Sequence, residues 1–235
     1  MNALARLAAE PALAALFFDV DGVLAPIVER PQDAVVPEET RVELRRLEER
    51  YGLVACVTGR ATDVAQQIIG VPGLRIIGEH GLELDPRAAE WGPRIHEFAA
   101  EIAWHDTELK PYSAAFHYRR APDPDFARAE LEAVEREARM HGFRARFGRM
   151  VLEILPPIPT SKGTGVTVLL KETGLQRALY AGDDTTDLDG FKALDGLDLA
   201  LRIAVASPEG PTELAASADL VLASTDELLG VLREL

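Results

Sequence analysis

Cysteine is nearly absent from these 235 residues: Cys56 stands alone. No intrachain disulfide can form, and nothing calls for an oxidising compartment. Basic side chains are also short in supply, 25 against 39 acidic ones, for a formal net charge of −14. General binding to nucleic acid or to an anionic membrane surface needs a basic footprint, so neither is expected. Long hydrophobic runs are missing too, and none approaches the ~20 residues of a membrane span. The apolar stretch Pro11 to Phe18 follows Arg6 and Glu10 and has no small-residue cleavage site before Asp19. It reads as a short helix leading into a buried strand, not as a signal peptide. Repeats and low-complexity segments are absent as well. The expectation is a cytoplasmic protein, monomeric or weakly homo-oligomeric, whose partner is a small molecule.

What is there is ordinary globular composition, 47% apolar and 27% charged. The length suits one large domain, or one compact domain carrying a smaller insertion. On so acidic a protein, an anionic substrate has to be met by a local device such as a metal ion or a few placed Lys and Arg.

The first part of the chain alternates strand-like and helix-like segments: Ala14 to Phe18, a helix from about Glu38 to Arg50, Leu53 to Val57, a helix from Ala61 to Ile69, then Leu74 to Ile77. That order predicts a parallel sheet with helices on both faces. The rhythm changes between about 83 and 158. Tyr112 to Tyr118, Phe143 to Phe147 and Met150 to Leu155 read as strands, with an amphipathic helix marked by Leu131, Val134 and Ala138. A helix near Thr164 to Thr173 and the strand Ala178 to Ala181 restore the first pattern. Short strands at Leu201 to Val205 and Asp219 to Leu222 follow, and Ser224 with Glu227 makes a capping box for the last helix. The expected organisation is an α/β core formed by 1–82 and 159–235, split by a smaller α+β domain over 83–158.

Several short motifs carry chemistry. Asp19-Val20-Asp21-Gly22 places two carboxylates at the end of a buried strand, where open α/β sheets bind ligands. Gly22 permits a turn that lets Asp19 and Asp21 converge, as around a hard cation such as Mg²⁺. Taken alone, a solvated Asp-Gly turn accounts for the motif equally well. A second cluster, Gly182-Asp183-Asp184-Thr185-Thr186-Asp187, follows another apolar strand at the same edge. Asp183 and Asp184 can reach a metal directly or through its waters, whereas Asp187 by itself reads more readily as a plain helix N-cap. Thr58 and Gly59 sit between a strand and a helix, where a hydroxyl and backbone N–H groups can hold a phosphate oxygen, although Thr58 taken alone reads more readily as a routine helix N-cap. Lys162, in Ser161-Lys162-Gly163, precedes a later helix, where an ammonium can neutralise a phosphate and an aspartate, although an isolated lysine is ordinarily solvated surface.

Together these motifs resemble those of the haloacid dehalogenase (HAD) superfamily of phosphatases: Asp-x-Asp-Gly, Thr-Gly-Arg, Lys-Gly and Gly-Asp-Asp-x-Thr-Asp, in that order over residues 19 to 187. Within it, the first motif as far as Ile27, Gly78-Glu79-His80-Gly81, Lys110 to Arg119, Val151 to Ile154 and Gly182 to Phe191 are similar to the trehalose-6-phosphate phosphatase branch, although Val23 replaces its usual Thr. The resemblance covers nearly the whole chain. It implies a Rossmann-like HAD core with an inserted cap that closes over a sugar. The implied reaction is hydrolysis of trehalose 6-phosphate to trehalose and phosphate through an aspartyl-phosphate intermediate. Alternatives are a phosphatase for sucrose, glucosylglycerol or mannosylglycerate phosphates, and a non-catalytic sugar-phosphate regulator. It further implies Asp19 as nucleophile and Asp21 as general acid and then base. By the same resemblance Mg²⁺ would be held by Asp19, the Asp21 carbonyl and Asp183, with Asp184 or Asp187 in support. The resemblance likewise implies that Thr58, Gly59 and Lys162 bind the phosphoryl group. Lys110, His117, Arg119 and Glu153 are the sugar-binding candidates, and His80 is at the core-to-cap junction, with packing, hinge or substrate duty.

Overall fold

The computed structural model describes residues 2–148, 150–207 and 210–235. The chain divides into two compact units, Met1–Gly81 with Thr160–Leu235, and Leu82–Pro159. In chain order the first contains α1 (Ala3–Ala9), β1 (Ala15–Phe18), α2 (Glu38–Glu48), β2 (Leu53–Val57), α3 (Thr62–Ile69) and β3 (Arg75–Ile77). The second unit follows with α4 (Ala88–Ile102), β4 (Thr107–Leu109), β5 (Ala114–His117), α5 (Pro124–Met140), β6 (Arg144–Gly148) and β7 (Val151–Leu155). The first unit then resumes with α6 (Lys162–Thr173), β8 (Arg177–Gly182), α7 (Asp187–Lys192), β9 (Leu199–Val205), α8 (Thr212–Ser217), β10 (Leu220–Leu222) and α9 (Thr225–Glu234).

In the larger unit six parallel strands run in the order β10-β9-β8-β1-β2-β3. Their sequences are nearly continuous apolar runs because both faces are covered. Alternate residues enter two cores. Leu16 and Phe18 pack with Leu7, Leu44, Leu47, Ile69 and Leu232, from α1, α2, α3 and α9. Ala15 and Phe17 pack with Val166, Leu169, Phe191 and Leu214, from α6, α7 and α8. Burial on both faces leaves the strand ends as the place for polar side chains.

The smaller unit is a four-stranded antiparallel sheet, β4-β5-β7-β6, with α4 and α5 on one face. Ala114, Phe116, Leu152 and Ile154 meet Ile95, Phe98, Leu131 and Ala138 there. The strand period of two sends Ala115, His117 and Glu153 to the opposite face. α5 starts where a helix should, with Asp123 accepting from the N–H groups of Asp125 and Phe126 and Pro124 in the first turn. By contrast, α4 and β4 arise where the sequence pattern marks no individual element. The Gly92-Pro93 pair in α4 reads as a breaker. The helix persists across Pro93 because Ile95, Phe98 and Ala99 behind it are buried. Both tryptophans lie in this unit: Arg94 covers the Trp91 ring at 4.3 Å, and the Trp104 Nε1–H donates to the His117 carbonyl at 2.8 Å.

Candidate active site

Because β8, β1 and β2 are parallel neighbours, the loops after them emerge on one edge of the sheet. Asp19 follows β1 directly, and its N–H donates to Ala181 of β8 at 3.0 Å. The next residues close a tight turn through Ala25 N–H to Val20 O and Gly22 N–H to Ala25 O, both 2.8 Å. Gly22 has φ +79°, and a Cβ there would lie 2.1 Å from Asp183 Oδ2. Only glycine permits both the turn and the approach of the Asp183 carboxylate to it.

Asp19, Asp183 and Asp187 are all buried, and each brings an oxygen within 4.8 Å of the others. Lys162, the first residue of α6, is 2% exposed and stands 2.7 Å from both Asp19 Oδ2 and Asp187 Oδ1. A capping box between Ser161 and Thr164 sets where α6 begins, and so where this ammonium points. Asp187 is saturated by protein donors. Its Oδ1 accepts from Lys162 Nζ and the Tyr180 hydroxyl, each at 2.7 Å. Its Oδ2 accepts the backbone N–H groups of Asp183 and Asp184 at 3.0 and 2.9 Å.

The charges are unbalanced. Burial pushes the Asp19 carboxyl well above the usual range; Lys162 opposes this, while Asp187 and Asp183 add to it. Burial pulls the Lys162 ammonium down, but Asp187 and Asp19 outweigh it and hold the group above its ordinary value. Burial, then Asp187, likewise raises the Tyr180 phenol, which stays protonated and donates. One ammonium among three buried carboxylates is a donor set suited to a hard cation with oxygen ligands. Each Asp187 oxygen already has two donors, whereas each Asp19 oxygen has one, the Val20 N–H on Oδ1 at 2.7 Å and Lys162 on Oδ2 at 2.7 Å, so Asp19 is better able than Asp187 to accept a metal.

Asp21 lies apart from that trio. Its carboxylate is gripped bidentately by Arg60, Nε at 2.6 Å and Nη2 at 2.7 Å. Asp184, half-buried, is also outside the trio. Thr58 is buried at the end of β2, with its N–H on Ile77 O and its Oγ1 accepting the Arg60 N–H at 3.3 Å. Beyond β3, Glu79 donates its N–H to Arg60 O and His80 to Thr58 O, at 2.8 and 2.9 Å, stitching the two loops together. Glu79 and His80 adopt φ 43° and 54°, a left-handed conformation unusual for such residues. Gly59 leaves space for the His80 ring, since a Cβ there would lie 2.5 Å from Nε2.

In the smaller unit, Lys110 and Glu153 are buried and paired at 3.4 Å, and Arg146 Nε donates to the other Glu153 oxygen at 2.8 Å. Ala115 and Arg146 flank Glu153 in the sheet register. His117 pairs with Glu108 at 2.9 Å instead, and half-buried Arg119 lies past the end of β5. Four residues at these sites escaped the sequence reading: Arg60, Tyr180, Arg146 and Glu108. Arg60 was within reach, being the third residue of Thr-Gly-Arg; Arg146 becomes visible only once the β6–β7 register is known.

The parallel six-stranded sheet with its separate small antiparallel sheet is the fold of a solved haloacid dehalogenase-like hydrolase from Bacteroides thetaiotaomicron, with a TM-score of 0.65 over 94% of this chain and 99% of that one at 17% identity, and the buried carboxylates at the sheet edge are consistent with a metal ion. The C-terminal domain of the Candida albicans trehalose-6-phosphate phosphatase superposes with a TM-score of 0.79 over 99% of this chain and 95% of that one; at 22% identity this is a likeness of fold. The trehalose-phosphatase family model matches residues 17–108 and 93–225. A Sinorhizobium fredii protein named "probable trehalose-phosphate phosphatase" is 32% identical, covering 94% of this chain and 87% of its own. Trehalose 6-phosphate phosphatase RA3 of Zea mays is also 32% identical, over 90% of this chain and 69% of that longer protein. The chain belongs to the trehalose-phosphatase family.

Proposed function

We propose that this protein hydrolyses trehalose 6-phosphate to trehalose and inorganic phosphate, with Mg²⁺ as its metal. The observation that carries the reading is the buried Lys162 ammonium, 2.7 Å from Asp19 and anchored by Asp187. An ammonium there both orients the Asp19 carboxylate and meets the charge of an incoming phosphoryl group.

Asp19 attacks phosphorus in line. The P–O bond to the sugar breaks as Asp21 delivers a proton to the leaving oxygen, and an acyl phosphate remains on Asp19. Water then attacks phosphorus while Asp21 takes its proton, the P–O bond to Asp19 breaks, and phosphate departs. Because Arg60 occupies both Asp21 oxygens, Asp21 exchanges at least one of those bonds for the substrate oxygen during the reaction. Thr58 and the N–H groups near Gly59 hold phosphoryl oxygens. Asp19 and Asp183 would hold Mg²⁺, with the Asp21 carbonyl and Asp184 in support, and the cation would supply neutralisation of the phosphoryl charge. Asp187 contributes through Lys162 and the 183–184 backbone rather than as a ligand.

The polar face of the smaller sheet suits sugar hydroxyls. Glu153 offers acceptors, while Lys110, Arg146 and His117 offer donors, in a setting partly withdrawn from water. Among the described residues no helix is long and apolar enough to cross a membrane.

Phosphate release is to be measured with Mg²⁺ and with chelator, across trehalose 6-phosphate and the phosphates of sucrose, glucosylglycerol and mannosylglycerate. The expected result is Mg²⁺-dependent turnover, highest for trehalose 6-phosphate and abolished in D19N. Faster turnover of another sugar phosphate moves the substrate assignment, and turnover that survives in D19N removes the assigned nucleophile.

A further inference from the structure

We propose that the Tyr180 hydroxyl is a positioning group for phosphoryl transfer, fixing through Asp187 the place of the Lys162 ammonium beside Asp19. The inference rests on the roles just given to Asp19 and Lys162 and adds a residue outside their motifs.

Tyr180 occupies the middle of β8, opposite Phe17 of β1 and Arg202 of β9. Its side chain is fully buried in an apolar core, where phenylalanine would pack with no polar group to satisfy. The surroundings are nonetheless shaped for the phenol. Phe191 meets its ring edge-on at 5.9 Å, and Gly190 leaves a slot that a Cβ would close, 2.4 Å from two ring carbons. That slot brings the hydroxyl to 2.7 Å from Asp187 Oδ1, the same oxygen that Lys162 contacts at the same distance.

Each oxygen of Asp187 thus has two donors, and the carboxylate has no free direction in which to turn. Lys162 is held between a fixed oxygen on one side and Asp19 Oδ2 on the other. Without the hydroxyl, Oδ1 turns wholly towards Lys162 and draws the ammonium away from Asp19 and from the phosphoryl group it must meet. Sugar contacts are untouched, so the loss falls on kcat rather than KM.

The test uses the full chain with Mg²⁺. Y180F is expected to lower kcat about 10-fold on trehalose 6-phosphate, with KM within about twofold. In a D187N background the same substitution is expected to cost less than about twofold, since its effect passes through Asp187. A kcat for Y180F within about twofold of wild type, or an equal loss in both backgrounds, overturns the proposal. Should Y180F not fold, 3-fluorotyrosine at position 180 keeps the hydroxyl. Its ¹⁹F resonance is expected to move when inorganic phosphate draws on Lys162, and an unmoved resonance also overturns the proposal. Failure of the functional reading is separately visible. If no sugar phosphate is turned over but p-nitrophenyl phosphate is hydrolysed and D19N abolishes this, the Y180F comparison is made on that ester.

Discussion

At Asp19 the protein keeps a carboxylate where chemistry needs it and folding does not. Burial and two neighbouring carboxylates raise its pKa against the single opposing ammonium of Lys162. A carboxyl whose folded value lies above its unfolded one, about 3.9, favours the native state least when ionised. The penalty is absent at low pH and grows as pH climbs from the unfolded value through the raised one. Metal-free wild type should therefore fall behind D19N in thermal stability as pH rises from about 4 to 7, each kcal/mol showing as about 2–4 °C. Melting curves of both proteins in chelator check this, and equal slopes would contradict it. Arg60 makes a second residue-scale prediction. If it holds Asp21 for proton delivery, R60A should lose about 10²-fold on a sugar phosphate, whose leaving group needs the proton. On p-nitrophenyl phosphate, with a far better leaving group, the loss should be much smaller. R60K should recover little, since an ammonium cannot reproduce the bidentate grip. Comparing kcat for the two esters decides it; equal losses would remove Arg60 from proton delivery.

Among the elements, the packing of α6 against α7 governs where Lys162 sits. A Cβ on Gly163 would lie 2.4 Å from the Asp189 carbonyl oxygen, a backbone atom that cannot swing aside. G163A should therefore destabilise the protein by about 1–3 kcal/mol in denaturant melts and lower kcat as well, because the helix start moves with it. Unchanged stability would mean that the helices separate without strain. Local pattern made much at this scale legible. Asp19, Asp183 and Thr58 each follow a strand, Lys162 opens a helix, and alternating strands and helices announce a parallel sheet. What stayed hidden depends on packing between segments far apart in sequence. Arg60 reaches Asp21 across 39 residues. The Tyr180 hydroxyl reads as plain strand filler until α7 is laid over β8. The course of α4 was masked by Gly92 and Pro93, local breakers that its buried face overrides.

Over the whole molecule, charge is unevenly shared. Residues 82–159 hold 14 acidic and 11 basic side chains, the rest of the chain 25 acidic and 14 basic. The unit that carries Asp19 thus repels the phosphate esters it is proposed to accept, and only short-range contacts reverse this. Raising the ionic strength from about 10 to 150 mM shortens the screening length from about 30 to 8 Å. KM for trehalose 6-phosphate should fall over that range while kcat stays level, and steady-state kinetics at fixed Mg²⁺ checks it; a rising KM would mean that attraction, not repulsion, dominates the approach. Indole fluorescence is likewise confined to one unit, since Trp91 and Trp104 both belong to Leu82–Pro159. Trp104 is tied through His117 O to the strand that carries one of the sugar-binding candidates. Excitation selective for tryptophan therefore gives an optical channel, with no label attached, in which the smaller unit speaks and the hydrolytic one is silent.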